Sequence, residues 1–171
     1  MYTLGNKDLL KTNPIALFCS VKCPGELILN TYDLCLKWRE EGKTVISGFH
    51  SPMEKECLRI LLKGSQPIVI CLARGIWKRF PPELKKAVNH NRLLIITKFP
   101  SGINRATKRR AIERNRFIAH LSDTLFISYA SPGGKLESLC KEWMTLNKSL
   151  YTFKSKYNGN LLQFGVKPYC N

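Results

Sequence analysis

The stretch Gly42–Leu58, GKTVISGFHSPMEKECL, carries the pattern from which the fold is read. Its first half, Thr44–Ser47, is a short β-branched run that suits a buried strand. Its second half opens on Ser51-Pro52-Met53-Glu54: a hydroxyl at the N-cap, proline at the first helical position and a glutamate three residues after the cap. Strand, short loop and capped helix make one βα unit.

The same alternation runs along the chain. Candidate strands are Ile15–Ser20, Thr44–Ser47, Pro67–Leu72, Leu93–Thr97, Thr124–Tyr129 and Ser149–Phe153. Candidate helices lie at Gly25–Glu41, Pro52–Lys63, Pro81–Asn89, Arg105–Leu121 and Gly133–Asn147. This predicts an α/β protein, a Rossmann-like three-layer α/β/α arrangement with a mostly parallel sheet of about six strands. Residues 1–14 read as an N-terminal lead and 161–171 as a tail folded back on a single domain spanning 1–171. In such sheets ligands bind past the carboxyl ends of the strands, where helix N-termini present free amides.

The chain has 171 residues, 44% of them hydrophobic, which suits one sizeable core. Lys and Arg number 28 against 12 Asp and Glu, a formal charge of +16, and the apolar content is too high for a disordered basic tail. No apolar run approaches the roughly 18 to 20 residues of a membrane span, and residues 1–14 lack a secretory h-region. The expected location is the cytoplasm, with no membrane partner. Seven cysteines (19, 23, 35, 57, 71, 140, 170), several inside apolar runs, read as buried thiols. There is no Cys-x-x-Cys pair and no grouping with histidine, so no metal is expected. No cofactor is expected either.

Charge is concentrated between Arg74 and Arg116, where thirteen basic and two acidic residues leave +11 of the +16. A one-signed surface of that size is stabilised by a polyanion, which makes nucleic acid the leading partner class. On the helix containing Arg114-Asn115-Arg116, a 100° step puts Arg110 and Arg114 on one face and Arg109 and Arg116 on another. One subset meets phosphate and the other packs against carboxylates or a loop. Common catalytic signatures, among them the Walker P-loop, GxGxxG, HExxH and GxSxG, do not occur, so the reading leans away from an enzyme. His50 lies in the ligand-facing loop. Glu54 is explained as the capping partner of Ser51, and Glu137 favours the dipole of the helix after the double glycine.

Read in order, LGNKDLL (from Leu4), IALFCSVK (from Ile15), GKTVISGFHSPMEKECL, ERNRFIAHLSDTLFISYA (from Glu113) and SPGGKLESLC (from Ser131) resemble the Rossmann-type core of the DNA-processing protein A (Smf) family. The Gly5-Asn6 lead, Ser47-Gly48 and Arg114-Asn115-Arg116 match the family pattern as they stand, whereas Ser20-Val21-Lys22 replaces its Gly-Ser-Arg turn. Pro132-Gly133-Gly134 is similar to the turn of the lysine decarboxylase-like phosphoribohydrolases, a more distant likeness. The length leaves no room for the flanking helical and winged-helix modules of longer family members. The resemblance implies a single-stranded DNA-binding protein acting in DNA uptake and recombination (natural transformation), with a recombinase and a second copy of itself as further partners. The alternative is a nucleotide sensor or a nucleoside-monophosphate phosphoribohydrolase-like enzyme, with Glu137 or Glu54 near the sugar bond. The candidate phosphate and nucleic-acid contacts are Lys22, Ser47, Gly48, Phe49, His50, Arg110, Arg114, Asn115, Arg116, Gly133, Gly134 and Lys135. Phe49 and Trp77 are candidate stacking faces for an unpaired base.

Overall fold

The structure, a computed structural model, describes residues 1–169; Cys170 and the end of the expected tail lie outside the described residues. Its strands are β1 (Tyr2–Gly5), β2 (Ile15–Cys19), β3 (Val45–Ser47), β4 (Ile68–Leu72), β5 (Leu93–Thr97), β6 (Thr124–Tyr129), β7 (Ser149–Thr152) and β8 (Lys167–Pro168). They form one sheet in the order β1-β5-β4-β3-β2-β6-β7-β8. Only β1 runs antiparallel, against β5. The expected six strands are all present, and two more extend the sheet at its edges. The expected lead contributes β1, and the tail contributes β8.

Why β1 escaped the sequence reading is physical. It pairs on one side only and exposes Tyr2 and Leu4, so it lacks an apolar signature. Its register is set by Gly5, whose φ of 98° brings the backbone so close to the Leu93 carbonyl that a Cβ would overlap it.

Helices α1 (Gly25–Glu40), α2 (Pro52–Leu62) and α3 (Pro82–Asn89) cover one face; α4 (Lys108–His120), α5 (Lys135–Met144) and the short α6 (Gly159–Gln163) cover the other. The strands alternate between the two cores, as a period of two demands. Leu17 and Cys19 pack with Leu34, Trp38 and Cys57, whereas Ala16 and Phe18 pack with Ile118, Leu139 and Trp143. Short 3-10 turns occupy Lys7–Thr12 and Lys156–Asn158. The basic helix starts at Lys108 and not at Arg105, because Thr107 is its N-cap and accepts a bond from the Arg110 amide at 3.2 Å.

The strand order reverses direction at β2, which pairs with β3 on one side and β6 on the other. At the carboxyl end of this pair the register slips: Phe18 faces Ile127, but Cys19 faces Tyr129. Ser20 then bonds across, its amide to the Tyr129 carbonyl at 2.9 Å and its Oγ from the Ser131 amide at 3.1 Å. Such an irregularity spreads the loops that follow and opens a crevice between them.

Two glutamates fasten that edge. Glu54 is buried and completes the predicted capping box with Ser51; its carboxylate accepts from the amides of His50 (2.8 Å), Ser51 (3.2 Å) and, across the chain, Cys19 (3.1 Å). Glu137 is buried beneath the double-glycine turn, accepting from Asn160 Nδ2 (2.6 Å) and the Gly133 amide (3.0 Å), with Lys141 Nζ at 3.4 Å. Those donors, Asn160 foremost, hold its carboxyl below the ordinary value of 4.5.

Two outcomes follow. Trp143 is 1% exposed and packs on Phe18 with ring centroids 4.7 Å apart; Trp143→Ala is expected to cost about 3–5 kcal/mol in urea denaturation. Because the folded-state pKa of Glu137 is depressed, its contribution to stability is complete above about pH 4.5 and is lost as pH falls through the folded value. Glu137→Gln should therefore cost about 1–3 kcal/mol at pH 7. Its deficit against the parent chain should shrink in denaturation curves taken below pH 4.5.

Candidate nucleic-acid interface

The crevice at the β2–β6 edge is a cavity of about 640 Å³. Four segments meet there: the loop after β2 (Ser20–Lys22), the α2 entry (His50, Ser51), the α4 entry (Ala106–Lys108) and the α5 entry (Gly134, Lys135). Its lining includes the apolar Phe18, Ile112, Leu136 and Leu139, the exposed Lys22, Lys108 and Lys135 at its rim, and the buried Arg114. Glu54 is the one acidic residue of the lining, and its oxygens already serve three amides. A smaller recess of about 310 Å³ adjoins it, sharing His50, Ala73, Ala106 and Arg114.

Arg114 stands in the wall common to both. It is only 6% exposed, and among the described residues no carboxylate lies within ion-pairing distance of it. Its Nε donates to Asn115 Oδ1 at 3.0 Å. The guanidinium lies where a side chain at residue 48 would begin: a Cβ on Gly48 would overlap it. Glycine in the Ser47-Gly48 loop therefore makes room for an arginine instead of bringing the backbone to phosphate, the role expected for it.

The other expected contacts divide. Lys22, His50, Asn115, Gly134 and Lys135 join Arg114 on the cavity lining. Ser47 is fully buried, its Oγ accepting the Phe49 amide at 3.2 Å. Phe49, turned by a φ of 44°, is 6% exposed and packs into the core, so it presents little of its ring where it borders the smaller recess. Arg110 points outward, bonding the Arg105 carbonyl at 3.0 Å and lying over the Phe99 ring. Arg116, two residues and about 200° beyond Arg114, forms a two-pronged pair with Glu142 and lies outside the cavity. Gly133 takes a φ of 69°, but its amide is spent on Glu137. Of the expected contacts, His50 and Gly133 thus have their amides on the protein's own carboxylates, as does the neighbouring Ser51. The same bonds occupy Glu54 and Glu137, the two acids that a hydrolytic reading would use.

Sequence reading missed two contributors. One is Lys108 at the α4 entry, which shares with Arg109 and the expected Arg110 a first turn that holds no acidic residue. Cations at the positive end of a helix oppose its dipole, and this was the available signal. The other is Arg74, just past β4, which lines the smaller recess with its Nε buried and without a hydrogen-bond partner.

The fold is shared with solved structures. The DNA processing protein A of Streptococcus pneumoniae superposes with a TM-score of 0.80 at 19% identity, over 98% of this chain and 62% of its own. That of Helicobacter pylori, whose structure is described for its single-stranded DNA binding mode, superposes at 0.79 with 18% identity, over 97% of this chain and 79% of its own. The present chain thus spans less than two thirds of the Streptococcus protein. The molybdenum cofactor carrier protein of Chlamydomonas reinhardtii is a more distant match, with a TM-score of 0.60 at 12% identity over 93% of this chain and 90% of its own. No curated protein matches in sequence. The model of one family, the DNA recombination-mediator protein A family, matches residues 1–159, and with nearly the whole chain so accounted for, the chain belongs to that family.

Proposed function

We propose that this chain binds single-stranded DNA through the cationic crevice at the β2–β6 edge, as a DNA-processing protein that serves recombination of incoming DNA. The observation that carries the reading is Arg114, a residue only 6% exposed that has no carboxylate beside it among the described residues. A buried charge is costly unless paired, and a site that keeps one unpaired is suited to an anion that arrives from outside. The first turn of α4 supports this, because Lys108, on the crevice lining, stands at a positive helix end and becomes favourable there once phosphate lies against it. So do Lys22 and Lys135, which line the same crevice.

The contacts proposed are Arg114, Lys22, Lys108 and Lys135 to phosphates, with His50 and Asn115 as further polar contacts. An unpaired strand fits better than a duplex, since the cavity is a recess with a partly apolar lining rather than a flat cationic face. A recombinase as the protein that takes over the bound strand, and a second copy of the chain, belong to the same reading. None of the described helices is long and apolar enough to cross a membrane, and a cytoplasmic location accords with the proposed role.

A fluorescent oligothymidylate titrated at several salt concentrations tests this. With three or four phosphates neutralised, log affinity against log salt should have a slope of about −2 to −3. Absence of binding at low salt, or binding indifferent to salt, overturns the proposal. Arg114→Ala should weaken binding by about 2–5 kcal/mol while leaving stability to urea unchanged or higher, because an unpaired buried charge has been removed. Arg59→Ala, which deletes the same charge from an exposed pair with Glu56, should stay within about twofold of the parent. Gly48→Ala should weaken binding in the direction of Arg114→Ala, since the new methyl group occupies the guanidinium's place.

A further inference from the structure

The smaller recess is not needed to hold phosphates at the crevice rim, and its chemistry differs from that of the crevice. Its lining combines apolar and aromatic residues, Trp77, Phe49, Leu58 and Leu72, with three cations, Arg74, Lys55 and Arg114. No acidic residue lines it. Its 310 Å³ is at the lower end of the roughly 300–1,000 Å³ typical of small-ligand sites. The Trp77 ring is held upright by Phe80, 5.9 Å away at 81°. Arg74 Nε faces no acceptor although it is shut off from solvent. Buried donors of this kind are rare unless something else supplies the acceptor.

We infer that this recess receives one unpaired base of the bound strand, laid against Trp77, with the preceding phosphate at Arg114 and base or phosphate oxygens accepting from Arg74. The inference rests on the proposed DNA-binding role. Its geometric basis is the shared wall: a nucleotide whose phosphate meets Arg114 has the crevice on one side and the recess on the other. A flat aromatic surface beside cations is what a base and its phosphate require together, and stacking on it is indifferent to base identity.

The test uses intrinsic fluorescence of the whole chain. Its three tryptophans are Trp38, Trp77 and Trp143, and the first and last are each 1% exposed in the core, so quenching by added DNA reports on Trp77. Oligothymidylate should quench emission in parallel with the binding curve obtained by anisotropy. Thymidine monophosphate at the same nucleotide concentration should not. Trp77→Leu should weaken oligonucleotide binding roughly 5- to 100-fold while leaving the salt slope unchanged, and Trp77→Phe should recover most of the loss. Arg114→Ala, in contrast, should lower the slope itself. Binding by anisotropy without quenching, or a Trp77→Leu affinity equal to the parent's, overturns the assignment of the recess and leaves the DNA-binding role standing. Equal quenching by the mononucleotide overturns the strand as occupant. Absence of oligonucleotide binding altogether overturns the underlying role. Because quenching is measured on the unsubstituted chain, the inference is tested even where a variant folds poorly.

Discussion

An arginine only 6% exposed and set against a glycine backbone, with no carboxylate to meet it among the described residues, is the constraint around which this edge of the protein is organised. Arg114 can lie there only because residue 48 has no side chain and because α4 is docked by Ile118 and Ala119, both fully buried one turn further on. In solution an arginine that far from water would be drawn to any carboxylate in reach, since pairing offsets most of the desolvation cost. Twelve acidic residues are present in the chain. The arrangement therefore depends as much on where acids are withheld as on where bases are placed.

Glu54 and Glu137 show how they are withheld. Glu54, on the crevice lining, is turned inward onto three backbone amides, and Glu137, beneath the double-glycine turn, is held by the Gly133 amide, the Asn160 side chain and Lys141. Glu54 joins the end of β2 to the start of α2; Glu137 holds the double-glycine turn against Asn160 of α6. The bonds that shape the crevice thus also keep its cations free of internal partners. Arg116 shows the opposite outcome, its charge consumed by Glu142 on the outer surface. Lysines on the rim are exposed and cost little to keep unpaired; the buried arginine is the costly element, and for that reason it identifies the site.

Most of the architecture was legible because buried parallel strands announce themselves. Ile68–Leu72 and the first four residues of Leu93–Thr97 are uninterrupted apolar runs, the capping box at Ser51 marks a helix start without ambiguity, and the family motifs fall in order along them. β1 and β8 were hidden because an edge strand needs neither an apolar face nor length. The site was legible in type and only partly in membership. Helical spacing separated Arg114 from Arg116 but gave no means to say which of them faced inward. Phe49 and Trp77 were equivalent as aromatic loop residues, until the fold buried the first and left the second half-buried, both bordering the smaller recess.

Net charge, alternation of strands and helices, capping chemistry and the order of short motifs are local or additive properties, and the sequence alone determined them. Which cations stay unpaired is a property of distances between segments remote in sequence: Gly48 with Arg114, Cys19 with Glu54, Gly133 and Asn160 with Glu137. Only the tertiary structure decided those, because the electrostatic energy of a charge depends on the water and partners around it, and both are set by how the chain closes on itself.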